Sequence, residues 1–253
     1  MKLADQVAIV TGGGSGQGRA TALLFSQEGA RVVVADLNAG GAEETANLIN
    51  GRESKLATAI EADVTRARDV QRTVDTALST YGRLDILINN AGVTLWKDID
   101  NTSEEDWNRI IDTNLKGVFL GCKAAIPAMR KSGGGNIVNI ASLAGLVGMP
   151  KHFAYCAAKA GVIHLTKSLA LDHGREKIRI NCICPGGVLT PMLTEAIDAD
   201  DPATLERVAG QIALGRIADP EEIARVSLFL CSSDAGYITG AALPVDGGIG
   251  GAV

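Results

Sequence analysis

Tyr155 and Lys159 stand four residues apart in the stretch FAYCAAKAG, among small and apolar neighbours. On a helix, positions i and i+4 lie one above the other, so a phenol and an ammonium would share one face. Two readings follow from the pair alone. In the first, a core Tyr packs beside a Lys whose stem lies along the surface and whose charge reaches water. In the second, the ammonium makes an acid–base catalyst of the phenol. An ordinary Tyr has a pKa of ~10, and a nearby positive charge favours the ionised form. The pair itself does not choose; the elements that position it must.

A second group of residues has its own chemistry. TGGGSGQG (11–18) follows the apolar run VAIVT and opens a helical pattern. Glycines here let the backbone approach a diphosphate at a helix N-terminus, where free N–H groups and the dipole favour an anion. The spacing is T-G-x-x-x-G-x-G, with Thr11, Gly12, Gly16 and Gly18 framing Ser15 and Gln17, and no Gly-Lys-Ser/Thr follows. Asp36 ends the next apolar run, RVVVAD. A carboxylate there accepts two hydrogen bonds from ribose hydroxyls and repels a 2′-phosphate. The positions where a cation would meet that phosphate hold the uncharged Ser15 and Leu37. The expected cofactor is NAD. An ordinary strand-end Asp is the competing reading of Asp36.

The elements around these groups alternate. Strands are expected at 7–11, 31–36, 55–63, 84–92, 135–142, 178–187 and 242–248. Helices are expected from the glycine loop to Glu28 and at 41–49, 66–80, 103–129, 153–173 and 220–231. Continuous apolar strands joined through helices describe a parallel sheet buried on both faces with right-handed crossovers. The fold class is therefore α/β, a Rossmann-like doubly wound parallel sheet with helices on both faces, and residues 1–253 are expected to form a single domain. Such sheets bind ligands beyond the carboxyl ends of their strands. Thr11, Asp36, Asp63, Asn90, Ser142, Pro185 and Gly186 all gather at that edge.

Composition narrows the function classes. The 253 residues are 46% hydrophobic, enough for one large core, and the formal net charge of -5, with scattered Lys and Arg, gives no footprint for nucleic acid or an anionic membrane. No stretch reaches the ~18 apolar residues that span a bilayer, and the first apolar run is too short for a signal peptide. Among the five Cys, Cys182 and Cys184 form a C-x-C that puts both thiols on one face of a strand, where they are expected as small buried hydrophobes. A reduced, cytoplasmic protein follows from that usage. The three His residues have no metal spacing, and no metal site is expected.

Over essentially its whole length the chain resembles the classical short-chain dehydrogenase/reductase family. The matching pieces, in order, are TGGGSGQG, Asp36, ADV (62–64), NNAG (89–92), NLKG (114–117), IVNIAS (137–142), YCAAK (155–159), NCICPGGVLTP (181–191) and TGAALPVDGG (239–248). The resemblance implies a catalytic set of Asn114, Ser142, Tyr155 and Lys159. Tyr155 would take the O–H proton of an alcohol as hydride leaves carbon for the nicotinamide. Lys159 would lower the phenol's pKa and hold the nicotinamide ribose, and Ser142 would hydrogen-bond the substrate oxygen. Asn114 would kink its helix and seat a water. For the cofactor, Asp63 and Val64 would meet the adenine and Asn90, Ala91 and Gly92 would shape the groove. Pro185, Gly186, Val188 and Thr190 would hold the carboxamide side.

The substrate side is less legible. Residues 188–214 are expected as a lid, with Glu195, Asp198, Asp200, Asp201 and Glu206 on a solvated face. Thr94, Trp96, Leu143, Met149, His152 and Met192 give a mainly apolar pocket with no Arg or Lys aimed into it. That lining implies a neutral secondary alcohol or ketone, apolar or cyclic, oxidised or reduced with NAD. A 3-oxoacyl-(acyl-carrier-protein) reductase and a non-catalytic NAD-binding sensor are the alternatives. The helices 103–129 and 153–173 have small and apolar residues on more than one face, so a homo-oligomer, a tetramer by resemblance, is expected.

Overall fold

The computed structural model describes residues 1–51, 56–197 and 202–252. Its β-strands are β1 (Val7–Thr11), β2 (Arg31–Asp36), β3 (Ala57–Glu61), β4 (Ile86–Asn89), β5 (Gly135–Ile140), β6 (Ile178–Pro185) and β7 (Ala242–Val245). They form one seven-stranded sheet in the order β3-β2-β1-β4-β5-β6-β7, and every pairing is parallel. The order reverses between β1 and β4. A crevice opens there at the carboxyl edge of the sheet, because the connections from the two strands leave in opposite directions.

The helices are α1 (Gly16–Gln27), α2 (Ala39–Asn50), α3 (Ala67–Tyr81), α4 (Glu104–Ile111), α5 (Gly117–Ser132), α6 (Phe153–His173), α7 (Pro191–Ala196), α8 (Pro202–Ala209) and α9 (Pro220–Cys231). Two apolar clusters sandwich the sheet. One gathers Val74, Val118, Met129 and Val162 of α3, α5 and α6 beneath Ile9 and Ile137. The other gathers Ala22, Phe25, Ala42 and Leu228 of α1, α2 and α9 against Val10, Val34 and Ile88. Successive strand residues go to opposite clusters, and Cys182 and Cys184 both fall in the first, fully buried.

Several elements differ from expectation. β3, β4, β5, β6 and β7 stop short of their expected C-terminal ends. The polar and Gly residues that follow leave the ladder to form the ligand-facing loops, as at Gly247 and Gly248, where φ is +63° and +87°. Lys55, Asp198, Asp200 and Asp201 lie outside the described residues. The single helix expected at 103–129 is broken: α4 ends at Ile111, a π-turn covers Asp112–Lys116, and α5 begins at Gly117. A capping box between Ser103 and Asp106 starts α4, consistent with the acids that follow the Ser in sequence.

Buried polar links tie the site's elements together below the edge. Asn89 Nδ2 donates to Asn139 Oδ1 at 2.8 Å, and Asn139 Nδ2 donates to Thr166 Oγ1 at 2.9 Å, joining β4, β5 and α6. Space around this network is tight: a Cβ on Gly121 would lie 2.3 Å from Asn89 Oδ1. Gly121→Ala should therefore destabilise by about 1–3 kcal/mol, through overpacking. Gly148→Ala, where an added Cβ meets nothing within 4 Å, is the control and should unfold at the same denaturant midpoint as the unaltered protein. Chemical unfolding of both variants checks it.

Candidate active site

The glycine loop is shaped by what touches it. Gly12 and Gly16 adopt φ of +63° and +49°, which side chains with a Cβ rarely do. A Cβ on Gly18 would lie 2.0 Å from the Gly12 carbonyl oxygen, so only Gly allows α1 to start this close to β1. Asn90 fixes the loop from β4, its Nδ2 donating to the carbonyls of Thr11 and Gly12 at 3.0 and 3.1 Å. Thr11 Oγ1 accepts from the N–H groups of Asn90 and Ala91. The first turn of α1 has no side-chain cap, which leaves its N–H groups open to an anion. A close-approaching glycine backbone and free N–H groups at a helix start are the chemistry that a diphosphate requires.

Asp36 sits beside that cradle. One carboxylate oxygen accepts from the Gly14 N–H at 2.8 Å and the other from the Asn38 N–H at 2.9 Å. The expected ribose-binding acid is thus also a brace for the loop. Leu37 next to it is exposed. Sequence reasoning overlooked Arg19, whose guanidinium donates to the Gly14 carbonyl at 2.6 Å, to Thr45 Oγ1 at 3.0 Å and to Glu44 at 2.5 Å. A cation does stand near the loop, but Glu44 pairs with it. Gln17 buries its Oε1 without a partner.

The opposite wall of the crevice closes onto this loop. After Pro185, Gly186 runs so close to Asp246 that a Cβ would lie 2.9 Å from that backbone. Val188 forms a bridge to Ala218, and Thr190 caps α7 and packs 3.2 Å from the place where a Gly16 Cβ would be. Val64 packs against Gly117, and Asp63 accepts from Thr65 and pairs with Arg66.

Asn114, Ser142, Tyr155 and Lys159 come together where β4, β5 and α6 meet. Asn114 is fully buried in the π-turn. Its Nδ2 donates to the carbonyls of Val93 and Ile110, both at 2.9 Å, and its Oδ1 accepts from the Val93 N–H at 3.3 Å. The bond to Ile110, one turn back, and the bonds to Val93 tie the widened turn to the loop after β4. Gly92 is required beside it, since a Cβ there would lie 2.8 Å from Asn114 Oδ1. Lys159 is 3% exposed and donates to the Ile140 carbonyl at 2.7 Å. Its ammonium nitrogen lies 5.4 Å from the centroid of the Tyr155 ring. Tyr155 and Lys159 do share one face of α6, one turn apart.

Burial acts on the two titrating groups in opposite directions. It pushes the Tyr155 phenol up to about 12, against the pull of the neighbouring Ser142 hydroxyl. It pulls Lys159 down to about 8. Both shifts follow from the cost of a charge away from water. Around Tyr155 the aromatic surroundings are more built than sequence suggested. His152 stacks on Tyr155 with centroids 4.5 Å apart and on Trp96 at 4.0 Å, and its Nε2 lies 2.7 Å from Thr94 Oγ1. The spacing of three residues between His152 and Tyr155 was the available signal.

Comparison with known proteins agrees with this geometry. The family model described as enoyl-(acyl carrier protein) reductase matches residues 12–250. A 3-oxoacyl-(acyl-carrier-protein) reductase of Thermotoga maritima is 38% identical over 98% of this chain and 99% of its own. A cyclohexanol dehydrogenase of Acinetobacter sp. is 40% identical over 97% of this chain and 95% of its own. The crystal structure of a 3-ketoacyl-(acyl-carrier-protein) reductase from Brucella melitensis, complexed with NADH, superposes with a TM-score of 0.89 at 36% identity, covering 98% of this chain and 99% of that one. With these relatives, the chain is a nicotinamide-dependent oxidoreductase that acts on CH–OH groups. The chain belongs to the short-chain dehydrogenase/reductase family. No helix among the described residues is long and apolar enough to cross a membrane.

The His152 ring gives a pH prediction. Burial holds its pKa down to about 4, whereas an unfolded His titrates near ~6.5. Between those values the unfolded chain binds the extra proton, so this residue's contribution to stability is lost as pH falls through that window. His152→Phe removes it. Denaturant unfolding at pH 7 and pH 5 should show the variant gaining on the unaltered protein at the lower pH.

Proposed function

We propose that this chain is an NAD-dependent dehydrogenase/reductase for a neutral secondary alcohol or ketone, apolar or cyclic, with Asn114, Ser142, Tyr155 and Lys159 as its catalytic set. The observation that carries this is the buried Lys159 ammonium one turn from the buried Tyr155 phenol, with Ser142 beside it. Bound NAD supplies the acceptor for hydride from the carbinol carbon. Tyr155 takes the hydroxyl proton, or returns it in reduction. Its elevated pKa in this buried setting must be brought down, and the Lys159 charge favours phenolate. Ser142 holds the substrate oxygen within reach of the phenol. Lys159 spends one donor on Ile140 and has others for the ribose. Asn114 fixes the loop at Val93 that faces them, and its second Oδ1 lone pair can hold the water of a proton relay.

Asp36 supports NAD over NADP, because a carboxylate at the end of β2 beside the glycine loop can accept from ribose hydroxyls and repels a 2′-phosphate, while Glu44 pairs with Arg19. Asp63 and Val64 flank the adenine side, and Asn90 to Gly92 with Pro185 to Thr190 line the groove. Residues 1–253 act as one catalytic domain with 188–214 as its lid, in the cytoplasm. The cyclohexanol dehydrogenase relative supports a ring substrate. The acyl-carrier reductase relative keeps that substrate class as the alternative. Trp107 and Phe119 expose 37% and 45% of their surface on α4 and α5, which supports pairing of these helices between copies. A tetramer is the proposed assembly, and sedimentation at micromolar concentration tests it.

A panel of secondary alcohols, ketones and a 3-oxoacyl thioester, each with NAD and NADP, tests the activity through the nicotinamide absorbance. NAD should give the higher kcat/KM; equal values would overturn the reading of Asp36. Tyr155→Phe should retain NAD affinity while turnover nearly vanishes. Lys159→Met should weaken NAD binding and turnover together, and shift the residual pH–rate midpoint upward. If Tyr155→Phe retains most of its activity, the proposed acid–base role is wrong.

A further inference from the structure

The segment after β7 folds back on itself and touches three walls of the crevice. Val245 pairs with Pro185, and a Cβ on Gly186 would lie 2.9 Å from the Asp246 backbone. The Gly247 carbonyl accepts from the Leu214 N–H at 3.1 Å, and a Cβ on Gly247 would lie 2.5 Å from Ile212. A Cβ on Gly250 would lie 2.8 Å from Leu143, the residue after Ser142. One carboxylate closes this path. Asp246 accepts from the Gly248 N–H with Oδ1 and from the Gly250 N–H with Oδ2, each at 3.0 Å. The turn that carries Ser142 is itself closed by local bonds, from the Gly145 N–H to the Ser142 carbonyl and from the Ala144 N–H to Ser142 Oγ. One flank of that turn rests on α6, where a Cβ on Gly145 would lie 2.7 Å from the Lys159 backbone. The other flank is Leu143, buried against Gly250.

We propose that Asp246 is a positioning residue: it folds the strap 246–250 against Leu143 and so holds the Ser142 hydroxyl beside the Tyr155 phenol. The inference rests on the activity proposed above. A carboxylate suits this task, since its two oxygens serve two amides at once and its bonds to N–H groups are charge-assisted. An amide side chain offers one oxygen, and alanine offers none. The Ser142 hydroxyl opposes the rise that burial imposes on the Tyr155 phenol. When the strap is released, Leu143 loses its backing and the hydroxyl next to it can drift. Such a drift raises the phenol further and misplaces the substrate oxygen. The same strap meets Ile212 and Leu214 at the end of the proposed lid, so one carboxylate sets both sides of the substrate space.

The test measures the pH dependence of kcat with the alcohol turned over fastest, NAD binding by fluorescence titration, and amide hydrogen exchange. Asp246→Ala should lower kcat by about tenfold or more, the scale of a misplaced catalytic group, and move the pH midpoint upward. NAD should still titrate to full stoichiometry, which a loss of folded protein would not allow. Exchange at Ala144 and Gly145 should quicken by about fivefold, the effect of one lost hydrogen bond, while exchange at Ile9 and Val10 of β1 stays the same. Asp246→Asn keeps one oxygen and should fall between. Gly250→Ala puts a Cβ 2.6 Å from Asp246 Oδ2 and 2.8 Å from Leu143, should shift the midpoint the same way, and tests the inference even if Asp246→Ala does not fold. Gly251→Ala, where an added Cβ meets nothing within 4 Å, should behave as the unaltered protein. An unmoved midpoint, or unchanged exchange at Ala144 and Gly145, overturns the inference and leaves the dehydrogenase reading intact. Turnover of no compound in the panel by the unaltered protein overturns both.

Discussion

The crevice depends on one amide. Asn114 makes three hydrogen bonds from a fully buried position, two to carbonyls and one to an N–H. Its bonds to Val93 anchor the loop after β4 to the break between α4 and α5. The π-turn at 112–116 rotates Asn114 inward, so that the helix break and the loop position are one constraint. Gly92 lies against the amide, Lys159 lies next to Gly92, and Tyr155 follows one turn before Lys159. An apolar residue at 114 would leave several buried groups without partners, each costing about 1–3 kcal/mol.

The groups that titrate are held by burial more than by charge pairing. The same exclusion of water raises the phenol and lowers the ammonium, so each is pushed toward its neutral form. The sheet explains why water is excluded there. Tyr155 and Lys159 belong to the helix that follows β5 and packs on the buried face of β6, and the ammonium reaches a carbonyl at the very end of β5. The polar edge is thus set directly on top of the apolar core. In the proposed reaction, substrate and cofactor would meet these groups from the crevice side.

Much of this was legible in the chain. Alternating apolar runs and helical patterns gave the parallel sheet, because strands buried on both faces have no polar side to hide. The glycine loop and Asp36 were readable from position alone. Strand ends were overextended, since the polar residues after each strand look alike whether they stay in the ladder or leave it. The π-turn was legible only as the kink that the resemblance placed at Asn114: the apolar spacing runs on through DTNLK, and the amide's bond to Val93 is a tertiary contact. Arg19 was missed for a related reason, as its partners Glu44 and Thr45 lie on a different helix. The Thr94–His152 contact joins residues 58 apart in sequence, and neither residue announces the other.

The order of the strands also has a kinetic side. The pairing at the centre of the sheet joins β1 to β4, where the Val7 N–H donates to Asp85, 78 residues along the chain. Neighbours in sequence can form β1–β2–β3 early, but that half exposes β1 as an unprotected edge until β4 emerges. Closing such long loops costs entropy before any contact offsets it, which makes this topology a slow folder with aggregation-prone partial states. The crevice sits at this same seam. A nascent chain therefore cannot offer a complete dinucleotide site until its two halves have met, and assembly of the central pair is the step that commits the chain to both fold and ligand.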